Sequence, residues 1–179
     1  TVNPAPTLTS ISASPASACA GSDVTFTVNG LISGLNTISY DYTIDGSTTS
    51  SSVNLTPSGG VASTSLNNLP AGNYQVKIKS ITVNGCTTNF STNNTANWTI
   101  NPEATPAFTQ MGPYCAGTTP DALPGTSNNG ITGTWNPSTI NTATSGTIIY
   151  TFTPTAGQCA TTAAMSVTVN SLPAVFNVT

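Results

Sequence analysis

Apolar side chains occur along this chain in short alternating runs, and each run reads as one half-buried strand. Val24, Phe26 and Val28 alternate with Thr25 and Thr27, a period of two that places three apolar groups on one face. The same rhythm predicts strands over residues 8–14, 38–44 and 61–66, a weak one over 53–55, and a closing one over 97–100 with Trp98 and Ile100 on one face. Asp45-Gly46 falls between two such runs, the place and composition of a two-residue hairpin turn. After Leu69-Pro-Ala-Gly the residues Tyr74, Val76 and Ile78 alternate inward, so the turn delivers a buried tyrosine in the manner of a tyrosine corner. Farther along, residues 107–110, 122–123, 131–135, 147–153 and 163–169 predict a second and leaner set of strands. No stretch holds a 3.6-residue period long enough to compete as helix.

Phrases also recur at domain scale. Thr-Val-Asn-Pro at 1–4 returns as Thr-Ile-Asn-Pro at 99–102 and as Thr-Val-Asn at 168–170, while Cys-Ala-Gly stands at 19–21 and again at 115–117. A second cysteine comes late in each interval, at Cys86 and Cys159. Such phasing predicts an all-β chain of tandem β-sandwich modules over residues 4–101 and, smaller, 102–170. Residues 1–3 then close a preceding module and 171–179 open a following one. The joint between modules is short and holds Pro102 and Pro106, which favour extended chain and end-to-end stacking.

Composition narrows the chemistry. Only 4% of the 179 residues are charged, the net charge is −3, and arginine and histidine are absent. Frequent β-branched and aromatic residues set the chain apart from disordered segments, and a pI near 4.1 argues against nucleic acid as a partner. No run approaches the roughly 18 to 20 apolar residues of a membrane-spanning helix. The charged side chains are Asp23, Asp41, Asp45, Glu103, Asp121, Lys77 and Lys79. With no histidine to serve as base, catalysis, a metal and a cofactor are all unexpected. Thr43 and Ile44 break any calcium-loop reading of Asp41 and Asp45-Gly46, leaving Asp41 as a solvated strand residue. Lys77 and Lys79 alternate outward, which disfavours a buried isopeptide bond and suits solvated lysines that discourage edge pairing. Trp135 reads as core, Trp98 as either core or sugar platform, and the Thr-x-Thr runs at 25–27 and 151–153 as outer strand faces.

Cys19, Cys86, Cys115 and Cys159, two per module at matching places, read as structural disulfides of an oxidising compartment, fully oxidised. Zinc is disfavoured because there is neither a CxxC pair nor a histidine. Pairing inside each module is the first expectation. Yet Cys19 precedes the second strand and Cys86 follows the sixth, and in an immunoglobulin-like strand order these places lie at opposite ends, beyond the roughly 7 Å Cα reach of a disulfide. Either the strand order differs, or the bond joins neighbouring modules.

Several longer stretches carry a resemblance: Cys19-Ala-Gly-Ser-Asp-Val-Thr-Phe26, Tyr42-Thr-Ile-Asp-Gly46, Val83-Asn-Gly-Cys86, Gly112-Pro-Tyr-Cys-Ala-Gly117, Gly130-Ile-Thr-Gly-Thr-Trp-Asn-Pro137 and Tyr150-Thr-Phe-Thr-Pro154. Together they resemble the immunoglobulin-like repeats of giant Bacteroidota cell-surface adhesins, including gliding-motility-type proteins exported by the type IX route. That resemblance implies immunoglobulin-like sandwiches, an extracellular location at the cell surface, and a structural role as stalk or filament shaft. It carries no catalytic residues. The partners it implies are neighbouring repeats of the same chain. Separately, a nearly uncharged surface with threonine and asparagine faces predicts side-by-side association of parallel copies in a fibre, with residues 147–153 or the closing strands near neighbouring chains. A surface glycan or prey surface would be met at a tip outside this stretch. The alternatives are a carbohydrate-binding adhesive module and a non-catalytic appendage of a secreted hydrolase.

Overall fold

The computed structural model describes residues 3–173, so the readings for residues 1–3 and 171–179 fall largely outside the described residues. Two compact units are present, Thr1–Pro102 and Glu103–Thr179, and among the described residues all regular structure is strand.

The first unit contains β1 (Ser10–Ser14), β2 (Ser17–Cys19), β3 (Val24–Asn29), β4 (Asn36–Ile44), β5 (Ser47–Leu55), β6 (Val61–Leu66), β7 (Gly72–Val83), β8 (Cys86–Asn89) and β9 (Thr95–Asn101). One sheet runs β1-β3-β6 and the other β2-β9-β7-β4-β5, with β8 also paired to β7. Every pairing is antiparallel except β2 with β9. Strands one, three and six face the sheet that carries four, seven and nine, which is the immunoglobulin-like sandwich expected. Its core is the set of alternating positions: Val24, Phe26 and Val28 from one sheet meet Ile38, Val76, Ile78 and Trp98 from the other.

Lys79 is the extra residue of a bulge in β7, since Ser39 pairs with Ser80 while Tyr40 pairs with Ile78. The bulge resets the alternation, so that Ile81 and Val83 turn inward like Val76 and Ile78 before it. Lys77 and Lys79 are exposed, as their alternation predicts. They do not guard an edge, however, because β7 lies between β4 on one side and β9 and β8 on the other.

The second unit contains β10 (Tyr114–Cys115), β11 (Gly133–Asn136), β12 (Gly146–Pro154) and β13 (Ala163–Asn170), in one sheet ordered β10-β13-β12-β11. Here too a short early strand lies parallel to the last. The strands expected at 107–110 and 122–123 are irregular chain. Pro106, Pro113, Pro120 and Pro124 flank those segments and lack the N–H groups by which a ladder could extend past them. They are held instead by single bonds: Asn128 N donates to Ala107 O (2.7 Å), Asn129 Nδ2 to Thr105 O (3.0 Å) and Gln110 Nε2 to Ser166 O (2.7 Å). Phe108 still reaches the core, 4.7 Å from the rings of both Trp135 and Phe152. Trp135 is buried as expected, and its indole N–H donates to Pro124 O at 2.9 Å.

Candidate functional site

The two recurring phrases of the sequence meet within each unit. In the first, β2 lies along the end of β9, with Ser17, Ala18 and Cys19 opposite Thr99, Ile100 and Asn101. Ala20 N then donates to Asn101 O at 2.9 Å, and Asn101 Nδ2 returns a bond to Ser17 Oγ at 2.9 Å. The second unit repeats the pattern: Tyr114 and Cys115 lie opposite Val169 and Asn170, and Ala116 N donates to Asn170 O at 2.8 Å. Each Cys-Ala-Gly is thus a clip that ends a short strand against the closing Thr-x-Asn.

The glycine of each clip has a physical reason. Gly21 and Gly117 sit at φ of 83° and 79°, the left-handed region that a Cβ disfavours. That conformation turns their N–H groups toward Leu69 O and Thr142 O, each at 2.8 Å. Asp23 braces the first clip by accepting from Asn68 N at 2.8 Å. Ile100 and Val169 anchor the closing strands beneath, both nearly inaccessible.

Asp41 and Asp45 are likewise occupied in holding strands and turns. Asp45, at φ 46° in the β4–β5 turn, accepts from Asn73 N (2.8 Å) and Asn73 Nδ2 (3.2 Å). Asp41 accepts from Ser50 Oγ at 2.6 Å and stands 3.4 Å from Lys79 Nζ. The Ser50 hydrogen bond, helped by Lys79, holds its carboxyl below the usual range. Tyr74 donates to Pro70 O at 2.6 Å, completing the tyrosine corner. Burial, with smaller contributions from Tyr74 and Tyr40, pushes Tyr42 up to about 12; burial and then Asp45 raise Tyr74. Trp98 is core rather than platform, stacked on Tyr74 with centroids 5.4 Å apart. Among the described residues no three His, Cys, Asp or Glu side chains are grouped as metal ligands.

Outward-facing side chains of the large sheet form rows that cross the strands. Asn97, Gln75, Thr43 and Thr48 make one such row over β9, β7, β4 and β5, with Gln75 Nε2 to Asn97 Oδ1 and Thr43 to Thr48 both at 2.9 Å. Thr87, Thr82, Thr37 and Asn54 make another, with bonds of 2.8 Å between Thr82 and Thr87 and between Thr37 and Asn54. In the second unit a groove of about 620 Å³ is lined by Met111, Pro113, Tyr114, Asp121, Pro124 and Asn128 among others, and Tyr114 is its one aromatic.

The cysteines depart from the first expectation. Cys19 and Cys159 are disulfide-bonded, whereas Cys86 and Cys115 carry free thiols, half-buried and exposed respectively. Neither Cys19–Cys86 nor Cys115–Cys159 is therefore formed, and the four are not fully oxidised. The reason is the one that strand order anticipates. Cys19 lies beside Asn101, next to the Gly72 end of β7, while Cys86 pairs with Val83 at the other end of that twelve-residue strand. At about 3.4 Å per residue the separation is roughly 35 Å. In the second unit Cys115 lies beside Asn170 at the end of β13, while Cys159 precedes the start of that strand.

No protein-family model and no curated protein matches the chain. Among solved structures, a chimeric titin Z1Z2-Z1Z2 tandem carrying a GRGDS peptide from fibronectin matches at 18% identity and TM-score 0.31, over 94% of this chain and 100% of that one.

Proposed function

We propose that this chain is a structural, non-catalytic repeat segment of a large extracellular bacterial adhesin or surface fibre, serving as stalk or filament shaft. The observation that carries this reading is the clip, built twice from the same words. In each unit a short strand near the beginning lies parallel to the closing strand, β2 on β9 and β10 on β13. Tension between the two ends of a unit pulls such a pair in opposite directions along its own axis. The interstrand bonds then bear load together, whereas an antiparallel pair pulled from one end opens bond by bond. Buried Ile100 and Val169 anchor the closing strand of each pair to its core.

The remaining chemistry supports a passive element. Asp23, Asp41 and Asp45 are occupied by hydrogen bonds to neighbouring strands and turns. Disulfide-bonded Cys19 and Cys159 suit an exported protein. The opposite-end placement of each unit's cysteines suits cross-links directed outward from a module rather than closed within it.

Single-molecule pulling of the reduced protein, in which no disulfide diverts the load, tests the reading. Ala20→Pro removes the donor to Asn101 O, and Ala116→Pro the donor to Asn170 O. Each is expected to lower the unfolding force of its own unit and leave the other unchanged; forces indifferent to both changes would overturn the load-bearing role. Antibody raised to the chain is expected to stain intact producing cells, and staining only after permeabilisation would overturn the extracellular assignment.

A further inference from the structure

We propose that the free edge of β5 is a self-association site, pairing antiparallel with β5 of a second copy about a two-fold axis. The strand ends its sheet, bonded only to β4 through an unbroken nine-residue register. Between residues 47 and 55 it has no charge, proline or glycine. Long sheet edges are ordinarily blunted by just those devices, because their bare N–H and C=O groups recruit other strands. The edge of β13 is treated differently: β10 covers its end and the Gln110 amide caps Ser166 O at 2.7 Å. Strand β12, which spans the 147–153 segment expected to meet neighbouring chains, is paired with β13 along residues 146–152 and with β11 only over residues 151–154.

The occupant follows from register. A two-residue Asp45-Gly46 turn makes Ile44 and Ser47 a hydrogen-bonded pair, so Thr48, Ser50, Ser52 and Asn54 turn their backbone groups to the open side. Antiparallel pairing centred on Ser51 sets Thr48 against Asn54 of the copy and Ser50 against its Ser52, matching outward groups to outward groups over the whole strand. On the opposite face Thr49 meets Val53, a β-branched pair. No charged side chain opposes another across this seam.

Burial along the strand supports the same arrangement. Residues 47–52 are exposed, although Thr49 and Ser51 share the face of buried Ile38 and Tyr40; Val53 and Leu55 are half-buried. The first half of β5 therefore overhangs the sandwich. Two-fold pairing lays the overhang of each copy beside the core-backed half of the other.

Sedimentation equilibrium and cross-linking test the seam. The unaltered chain is expected to show a concentration-dependent dimer. Ser52→Pro removes a seam N–H while sparing the bonds to β4, and is expected to raise the dimer Kd by about tenfold or more with an unchanged melting temperature. Ser52→Lys, which brings like charges together across the seam, serves should the proline variant misfold. With Cys86 and Cys115 changed to Ser, Ser51→Cys is expected to give a covalent dimer in air, two thiols passing two protons and two electrons to dissolved oxygen. Single chains at every concentration, a Kd indifferent to both Ser52 variants, or Ser51→Cys chains that stay reduced would overturn the proposal. Those outcomes would leave the load-bearing clip untouched, so the two readings fail separately.

Discussion

The two units solve one problem with different means. Both join a short early strand in parallel to the last and finish that strand with Cys-Ala-Gly. The first then closes its core with a second sheet, β1-β3-β6, whose ladder satisfies backbone groups collectively. The second closes a smaller core with irregular chain, tied by individual side-chain bonds from Asn129, Gln110 and Trp135. A ladder loses one bond at little cost to the rest. A layer held by separate ties depends on each, and the smaller the core the less remains to compensate.

The most severe test of that contrast is Trp135→Ala. Deleting a buried tryptophan costs about 3–5 kcal/mol, and this ring is packed by Phe108 and Phe152. Calorimetry is expected to show loss of the second unit's transition with the first unit's intact; a joint shift would mean the units do not melt separately.

Removal of a tie comes next. Asn129→Ala deletes its bonds to Thr105 O, Ala107 N and Ser127 Oγ, a loss of about 1–3 kcal/mol. In a Trp98→Phe background, Trp135 emission is expected to shift to the red as Phe108 leaves its ring. An unshifted spectrum would show that the irregular layer does not need this brace.

Tyr74→Phe sharpens the comparison from the other side. It removes one bond, to Pro70 O, from a unit whose sheets remain whole, at about 1 kcal/mol. The urea midpoint of the first unit should fall slightly, and loss of that unit altogether would contradict its robustness.

The smallest effect is alkaline. Tyr42 holds its proton more tightly folded than unfolded, so its contribution is complete below pH 10 and declines as pH rises toward about 12. The first unit's melting temperature should fall over that window, less steeply in Tyr42→Phe. Equal slopes in the two chains would show that Tyr42 does not contribute.

Much of this fold could be read from alternation. Val24, Phe26 and Val28, the Asp45-Gly46 turn and the Tyr74 corner stand where the period of two and the turn residues placed them. Three kinds of feature escaped. The first half of β5 is all Ser and Thr, without an apolar alternation, and becomes strand because β4 supplies its ladder. Strands β2 and β10 are too short to show a period and exist only through pairing with distant β9 and β13. Segments 107–110 and 122–123 have apolar residues for a core but sit among prolines that preclude a sheet. The clip could have been suspected from the recurrence of its two phrases, but nothing local says that they touch.

The crossing rows of hydroxyl and amide side chains have a consequence for the medium in which the protein works. Attraction between exposed ions fades as dissolved salt shortens its range, to about 8 Å at physiological strength and about 3 Å at 1 M. Bonds from Gln75 to Asn97 and from Thr82 to Thr87 involve no net charge, and the ion pair of Lys79 with Asp41 is the exception on that face. A surface knit in this way keeps its cohesion in brine and in fresh water alike.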